Sequence, residues 1–449
     1  MPNEYDLVVI GSGSAGRSAA FRCRAAGWRV AVIDQLPFGG TCALRGCDPK
    51  KVLIGAADAL DQVKRFSGLG VKAETLDINW PELMAFKRTF TGPMPGEIEK
   101  GLHDRGIDTY RGSARFTGRN AVAVSGEVLE GRFILIAAGA EPMKLGIDGE
   151  EHLTTSDQFL ELEQLPDRVL FVGGGYIGFE FAHLSRRAGA EVTMLEMSDH
   201  FLGPFDRDMV AMLLKKTRGI GIDARTGTAV KSIEKSDQGF TVHAVAGDRE
   251  LRFEVDLAVH AAGRVPALMN LDLDSAGIEH ESGRLKLNDY LQSLSNPSVY
   301  AAGDVTKKGP ALTPVAGIDG DAVAANMLEG NRVSPDYSVV ASAVFTIPPL
   351  ASVGLTEEQA KERGLKFKVN HADTAAWYTS HRLNEDTSGY KVMVEEGSGR
   401  IIGAHLLGPH SDEVINIFAL AMKAGLPAEK VKETLFTYPT ASSDIGYML

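Results

Sequence analysis

The chain has 449 residues, 44% hydrophobic and 24% charged, with three cysteines and a formal net charge of −12. That is enough apolar sequence for about two to four globular domains. The acidic balance argues against nucleic acid as a partner. No apolar run approaches the roughly 18 residues of a membrane span, and three cysteines are too few for a stapled secreted fold, so a cytoplasmic protein is expected.

Asp6-Leu7-Val8-Val9-Ile10 reads as a buried parallel strand. Gly11-Ser12-Gly13-Ser14-Ala15-Gly16 follows at once, then a helix to about Ala26 closed by Gly27, then the strand Val30-Ala31-Val32-Ile33 ending in Asp34. This is a complete dinucleotide fingerprint. The first Gly makes the tight turn, the second lets backbone approach a pyrophosphate, and the third lets helix pack on strand. The helix N-terminus faces the phosphates, and the acid takes a ribose hydroxyl.

Cys42 and Cys47 follow in Gly39-Gly40-Thr41-Cys42-Ala43-Leu44-Arg45-Gly46-Cys47-Asp48-Pro49-Lys50-Lys51. In a straight helix residues five apart are separated by about 7.5 Å along the axis, whereas a disulfide wants Cα atoms within about 7 Å. A bridge here needs a tightened or bent first turn, which the glycines allow. Such a bridge is easily reduced, a poor staple and a good redox switch. A carboxylate at Asp48 would disfavour a Cys47 thiolate unless a neighbouring cation compensates; a solvated Asp favoured by the helix start is the expectation. Cys23, in the preceding helix, reads as a buried apolar side chain.

A charged helical stretch runs from about 52 to 100, and the strand Phe133-Ile134-Leu135-Ile136 then enters Ala137-Ala138-Gly139. The fingerprint recurs from there. Val169-Leu170-Phe171-Val172 leads to Gly173-Gly174-Gly175-Tyr176-Ile177-Gly178, a helix to about Ala188, and Val192-Thr193-Met194-Leu195 before Glu196. First Gly and acid are 23 residues apart in both copies (11 to 34, 173 to 196). Two such copies mark two dinucleotide sites. Leu257 to Pro266, containing Ala261-Ala262-Gly263-Arg264, resembles the segment ending at Gly139. Val299-Tyr300-Ala301-Ala302-Gly303-Asp304 and a helix start at Leu312-Thr313-Pro314 follow, with Thr313 expected as N-cap and Pro314 as the first helical residue. Beyond about Pro335 strand-like runs alternate with one amphipathic helix near Glu413 to Lys423, a separate α+β domain. The histidines form no ligand-spaced cluster, so no metal site is expected.

These motifs together resemble the flavoprotein disulfide reductases, the family of glutathione reductase, dihydrolipoamide dehydrogenase and mercuric reductase. The resemblance implies an α/β fold with two Rossmann-like domains, for FAD and NAD(P), and a C-terminal α+β dimerisation domain. The expected boundaries are 1–149 for the first part of the FAD domain, 150–264 for the NAD(P) domain, 265–334 for the second FAD part and 335–449 for the interface domain of a homodimer. FAD contacts are implied at Gly11, Gly13, Ser14, Ala15, Gly16 and Asp34, with Gly40, Thr41 and Lys51 from the cysteine segment and Ala138 and Gly139 after the central strand. Asp304, after Gly303, would bond the ribityl chain, and the helix opening at Leu312, Thr313 and Pro314 would face the pyrimidine edge. Nucleotide contacts are implied at Gly173, Gly175, Tyr176, Ile177, Gly178, Glu196, Gly263 and Arg264, with Tyr176 as an aromatic gate. Cys47 would be the flavin-side thiolate and Cys42 the interchange sulfur. Glu180 would pair with a lysine near the flavin, either Lys50 or Lys51.

Glu196 favours a free ribose 2′-hydroxyl and repels a 2′-phosphate, so NADH is expected over NADPH. The chain departs from the family where His-Pro-Thr is usual: it has Tyr438-Pro439-Thr440, with Ser443 where an acid is expected and Asp444 one residue late. A phenol with a pKa near 10 is a weak base at neutral pH, and loss of the proton acceptor slows thiol exchange by about 10²–10⁴-fold. Tyr438 either packs at the interface or acts as acid or substrate contact. The acceptor is read as a small disulfide, with a metal ion, quinone or small oxidant as the alternative, and a redox-sensing flavoprotein with little turnover as the other class.

Overall fold

The computed structural model of the protein describes residues 3–72 and 76–449. The chain folds into two compact units. One comprises Met1–Lys50, Ala85–Met143 and Arg264–Tyr337; the other comprises Lys51–Met84, Lys144–Gly263 and Ser338–Leu449.

The first unit is built on a seven-stranded sheet. Asn3–Ile10 pairs in parallel with Val30–Asp34 on one side and Glu127–Ile136 on the other, and Val299–Ala301 adds a parallel strand to the latter. The central strands are apolar on both faces because both are covered. Val8, Ile10, Ile134 and Ile136 face one core, and Leu7, Val9 and Leu135 face another with Ala19, Ala20 and Cys23 of the Ser14–Ala25 helix. Cys23 is fully buried, and burial pushes its thiol up to about 12.

The second unit carries a four-stranded parallel sheet in which Arg168–Val172 lies between Glu191–Leu195 and Leu257–His260. The Thr228–Ser236, Gly239–Ala246 and Arg249–Val255 strands form an antiparallel sheet beyond it. The C-terminal region is a five-stranded antiparallel sheet against which the Ser411–Lys423 helix packs Val414, Ile415 and Phe418. The fold is thus mixed α/β with two Rossmann-type sheets and a C-terminal α+β region. The stretch expected to be helical holds the helices Cys47–Arg65, Trp80–Thr91 and Met94–His103, while 73–75 lie outside the described residues.

Lys391 is a buried organiser of the second unit, its side chain 3% exposed. Its ammonium lies 3.0 Å from Asp206, 2.5 Å from Asp208 and 2.9 Å from Glu357. Burial pulls its pKa down, but the three carboxylates outweigh that and raise it. Lys361 and Lys391 together hold Glu357 down at about 2. Lys391→Ala would leave buried Asp206 uncompensated and is expected to lower the unfolding free energy by about 3–5 kcal/mol in denaturant titrations; a loss under about 1 kcal/mol would contradict this. Glu357 is depressed, so its contribution is complete above its ordinary pKa of 4.5 and is lost as pH falls toward about 2. The melting temperature of the wild type should therefore fall more steeply over that window than that of Glu357→Gln.

Candidate functional site

The two fingerprints repeat each other glycine for glycine. Gly11 and Gly173 have positive φ (109° and 111°). A Cβ on Gly11 would lie 2.2 Å from the Ala137 carbonyl oxygen, and one on Gly173 2.4 Å from that of Ala261. Each tight turn is thus set against one of the two Ala-Ala-Gly strand ends whose likeness the sequence shows. The third glycines, Gly16 and Gly178, let each helix close on its turn: a Cβ would meet the carbonyl oxygens of Gly11 and Gly173 at 2.1 and 2.5 Å. The middle glycines face space. A Cβ on Gly175 meets nothing within 4 Å, and on Gly13 nothing nearer than Gly40 Cα at 3.9 Å. A ligand can therefore approach the backbone at Gly13 and Gly175, and the residues present fit a pyrophosphate at each helix start.

The acids sit where the fingerprint requires. Asp34 accepts from the Ser12 amide (2.9 Å) and hydroxyl (2.6 Å). Glu196 accepts from the Gly174 amide (2.8 Å) and from the Ser198 amide and hydroxyl (2.8 Å each). Ser12 occupies a variable position of the fingerprint, where spacing gives it no role, yet its hydroxyl also accepts from the Gly39 amide at 2.8 Å. It ties the first fingerprint to the cysteine segment, as does the approach of Gly40 to Gly13.

That segment is not one helix with a bent first turn. It is two helices, Gly40–Arg45 and Cys47–Arg65, broken at Gly46, whose φ of −143° and ψ of −111° end the first. Cys42 and Cys47 fall on opposite sides of the break. They are hydrogen-bonded to each other, and this, with burial, pushes the Cys42 thiol strongly up; a hydrogen bond from Thr313 opposes the rise. The Thr313 hydroxyl lies 3.7 Å from Cys47 Sγ. Thr313 is the first residue of its helix, Leu312 is the N-cap and Pro314 comes second, a shift of one from the expected capping, because Leu312 has the extended backbone of a cap.

Asp48 is solvent-exposed, as expected of a helix start, but it is not merely solvated. Its Oδ1 lies 3.8 Å from Cys42 Sγ. Arg17, in the first helix after the fingerprint, is half-buried. Burial lowers its pKa, and the charges of Cys42 and Asp48 oppose that. Its Nε is buried without a hydrogen-bond partner. Neither the Asp48–Cys42 contact nor Arg17 could be read from spacing, since the break at Gly46 creates both neighbourhoods.

Of the two candidate lysines, Lys51 pairs with Glu180, Nζ to Oε2 at 2.7 Å. The Glu180 side chain is only 2% exposed. Its other oxygen accepts from the Phe345 amide at 3.0 Å, and Lys51 Nζ lies 4.0 Å from the Phe345 ring centroid. Lys50 is half-buried on the preceding helical position. Tyr176 packs edge-on against Phe205 with ring centroids 5.4 Å apart, and burial raises its pKa. Burial also raises Asp304, against the opposing charges of Arg264 and Lys307. Ile177 lies in the second fingerprint helix; Ala138, Gly139 and Gly263 lie in the strand-end loops; and Gly303 precedes Asp304 with φ of 80°.

Tyr438 is 79% exposed. Ser443 forms a capping box with Thr440, and Asp444 accepts from the Thr379 hydroxyl while burial raises its pKa.

The family profile described as pyridine nucleotide-disulphide oxidoreductase matches residues 5–320, and that of its dimerisation domain matches 340–449. A glutathione reductase of Burkholderia cepacia is 32% identical over 442 residues, 98% of this chain and 97% of that one. A mercuric reductase of Bacillus cereus is 32% identical over 98% of this chain and 70% of that one. The solved Cu(II) complex of the HOCl-induced flavoprotein disulfide reductase RclA from Escherichia coli superposes with a TM-score of 0.88 at 31% identity, covering 99% of each chain.

The open space above Gly175 gives a direct test of the second cradle. Gly175 has φ of −91°, which any residue adopts, so Gly175→Val is expected to melt within a few degrees of wild type while binding reduced nicotinamide nucleotide at least about tenfold more weakly, roughly 1.4 kcal/mol. Unchanged affinity by calorimetry would contradict the placement.

Proposed function

Because the chain belongs to the pyridine nucleotide-disulphide oxidoreductases, we propose that it is an NADH-dependent flavoenzyme passing electrons through Cys42 and Cys47 to a small disulfide. The observation that carries this reading is the pair of cysteines set across the break at Gly46, with the Thr313 hydroxyl 3.7 Å from Cys47 Sγ. FAD and NADH, when bound, supply the hydride and electron chemistry. The first fingerprint with Asp34, Thr41, Ala138, Gly139, Asp304 and the Leu312–Pro314 helix start would hold FAD. The second, with Glu196, Gly263 and Arg264, would hold the nicotinamide nucleotide, and Tyr176 would gate it.

The family resemblance assigns Cys47 as the flavin-side sulfur, which stands next to the Thr313 hydroxyl, and Cys42 as the sulfur that meets the acceptor. Lys51, held by Glu180, is the cation that the family resemblance assigns to the flavin, and Lys50 is left outside that pair. Phe345 contacts both partners of the Lys51–Glu180 pair, its amide donating to Glu180 and its ring lying against the Lys51 ammonium.

Matching of residues 340–449 to a dimerisation domain supports a homodimer. Exposed Leu420, Leu435, Tyr438 and Tyr447 give that region apolar surface for a second copy to cover, Leu435 being 98% exposed. A second acceptor class, an oxidising metal ion, is favoured by one observation: a weak base, Tyr438, stands where a histidine is usual, and the mercuric reductase and the Cu(II)-bound RclA are among the similar proteins. A metal ion takes electrons from a thiolate pair with less need of that proton acceptor.

Steady-state assays should give a kcat/KM for NADH about 10²-fold above that for NADPH, since a carboxylate beside a 2′-phosphate costs several kcal/mol unless compensated. A preference for NADPH would overturn the reading of Glu196. Cys42→Ser should lose at least about 10³-fold in reduction of small disulfides while retaining bound flavin; full activity in that variant would refute the thiol path.

A further inference from the structure

Thiol-disulfide exchange moves a proton as well as electrons, and the residues described so far leave that proton without a carrier. Tyr438 is a weak base at neutral pH. Asp444 is tied to the Thr379 hydroxyl, and Ser443 to Thr440. At Cys42 itself the structure offers an acceptor: Asp48 Oδ1, 3.8 Å from Cys42 Sγ and exposed to solvent on its other side.

We infer that Asp48 is the proton carrier for Cys42, taking the thiol proton as the sulfur attacks and returning it to the departing thiolate. This rests on the disulfide reading of the acceptor and extends it. In the first step the Cys42 thiol attacks a disulfide R–S–S–R′. The Cys42–S–S–R bond forms as S–S–R′ breaks, and the thiol proton passes through the Asp48 carboxylate to R′S⁻, which leaves as R′SH. In the second step the Cys47 thiolate attacks Cys42 Sγ, closing the Cys42–Cys47 disulfide and releasing RS⁻, which is protonated by solvent. The pair loses two electrons and the substrate disulfide gains them.

The groups around Cys42 are arranged for this exchange. Cys47 across the helix break and Asp48 on the following helix both offer acceptor atoms to the thiol, and the Thr313 hydroxyl faces the pair from its own helix. Arg17, from the fingerprint helix, brings a guanidinium that interacts with both Cys42 and Asp48. Arg17 is a positioning residue here, and Asp48 is the group that touches the reacting sulfur. A carboxylate directly after the second cysteine therefore has a use in a chain that carries Tyr438 rather than histidine.

Leaving-group basicity separates this from a purely electrostatic role. The holoenzyme, reduced anaerobically with NADH, is mixed at pH 7 with bis(2-hydroxyethyl) disulfide, whose leaving thiolate is strongly basic and needs a proton. In parallel it is mixed with 5,5′-dithiobis(2-nitrobenzoate), whose leaving thiolate is weakly basic and needs none, and with iodoacetamide, which expels iodide. Asp48→Asn is expected to slow the first reaction by about 10²-fold and the other two, which need the thiol proton removed but none delivered, by at least about tenfold less, with Asp48→Glu recovering part of the loss. If the Asp48→Asn to wild-type ratio for the hydroxyethyl disulfide is less than about tenfold below that for the nitrobenzoate, the relay is overturned and Asp48 acts only through its charge or its fold. A wild-type protein inert toward both disulfides but alkylated at Cys42 would overturn the disulfide reading and the relay with it.

Discussion

One helix break organises the chemistry of this protein. Gly46 ends the Gly40–Arg45 helix and allows Cys47 to start another, so two cysteines five apart come into hydrogen-bonding contact instead of being spread along one axis. Almost everything else at the site serves to hold that break in place. Gly40 lies against Gly13, Ser12 bonds both Gly39 and Asp34, and Thr313 reaches the Cys47 sulfur from the start of a seventeen-residue helix. The first dinucleotide fingerprint is therefore also the wall on which the two cysteines are mounted.

The internal repeat explains how one chain builds two cradles by the same physics. Each fingerprint needs an apposed strand end with small side chains, because the first glycine presses against its carbonyl. Ala137 and Ala261 supply those ends in the two copies. The same logic leaves Gly13 and Gly175 facing space, where an approaching phosphate meets backbone amides rather than a Cβ. The acids at the next strand ends, Asp34 and Glu196, are oriented by serines close by in sequence or space, Ser12 and Ser198.

Much of this was legible in the sequence because it depends on local spacing. The strand–turn–helix–strand–acid order appears twice with equal separation, and both sheets form as that order dictates. The pairing of Glu180 with a lysine was legible only as far as Lys50 or Lys51. Which of the two side chains reaches the glutamate depends on the rotation of the helix after the Gly46 break, which spacing does not reveal. The cap of the helix at Leu312 was displaced by one residue for a similar reason: Thr313 and Pro314 both suit the first turn, and the extended backbone at Leu312 decides between the registers. Ser12, Arg17, Asp48 and Phe345 were hidden or misread because their partners are distant or lie across a break. Asp48 has the composition of a solvated helix start and the position of a thiol partner.

The account stands on the arrival of nicotinamide electrons at the Cys42–Cys47 pair. The most direct measurement is differential alkylation of the air-oxidised holoenzyme, quenched before and after anaerobic addition of NADH and read by peptide mass spectrometry, with buried Cys23 as internal reference. The account predicts that Cys42 and Cys47 are protected before NADH and both labelled after it. Equal labelling without NADH, or protection that NADH does not relieve, would contradict it.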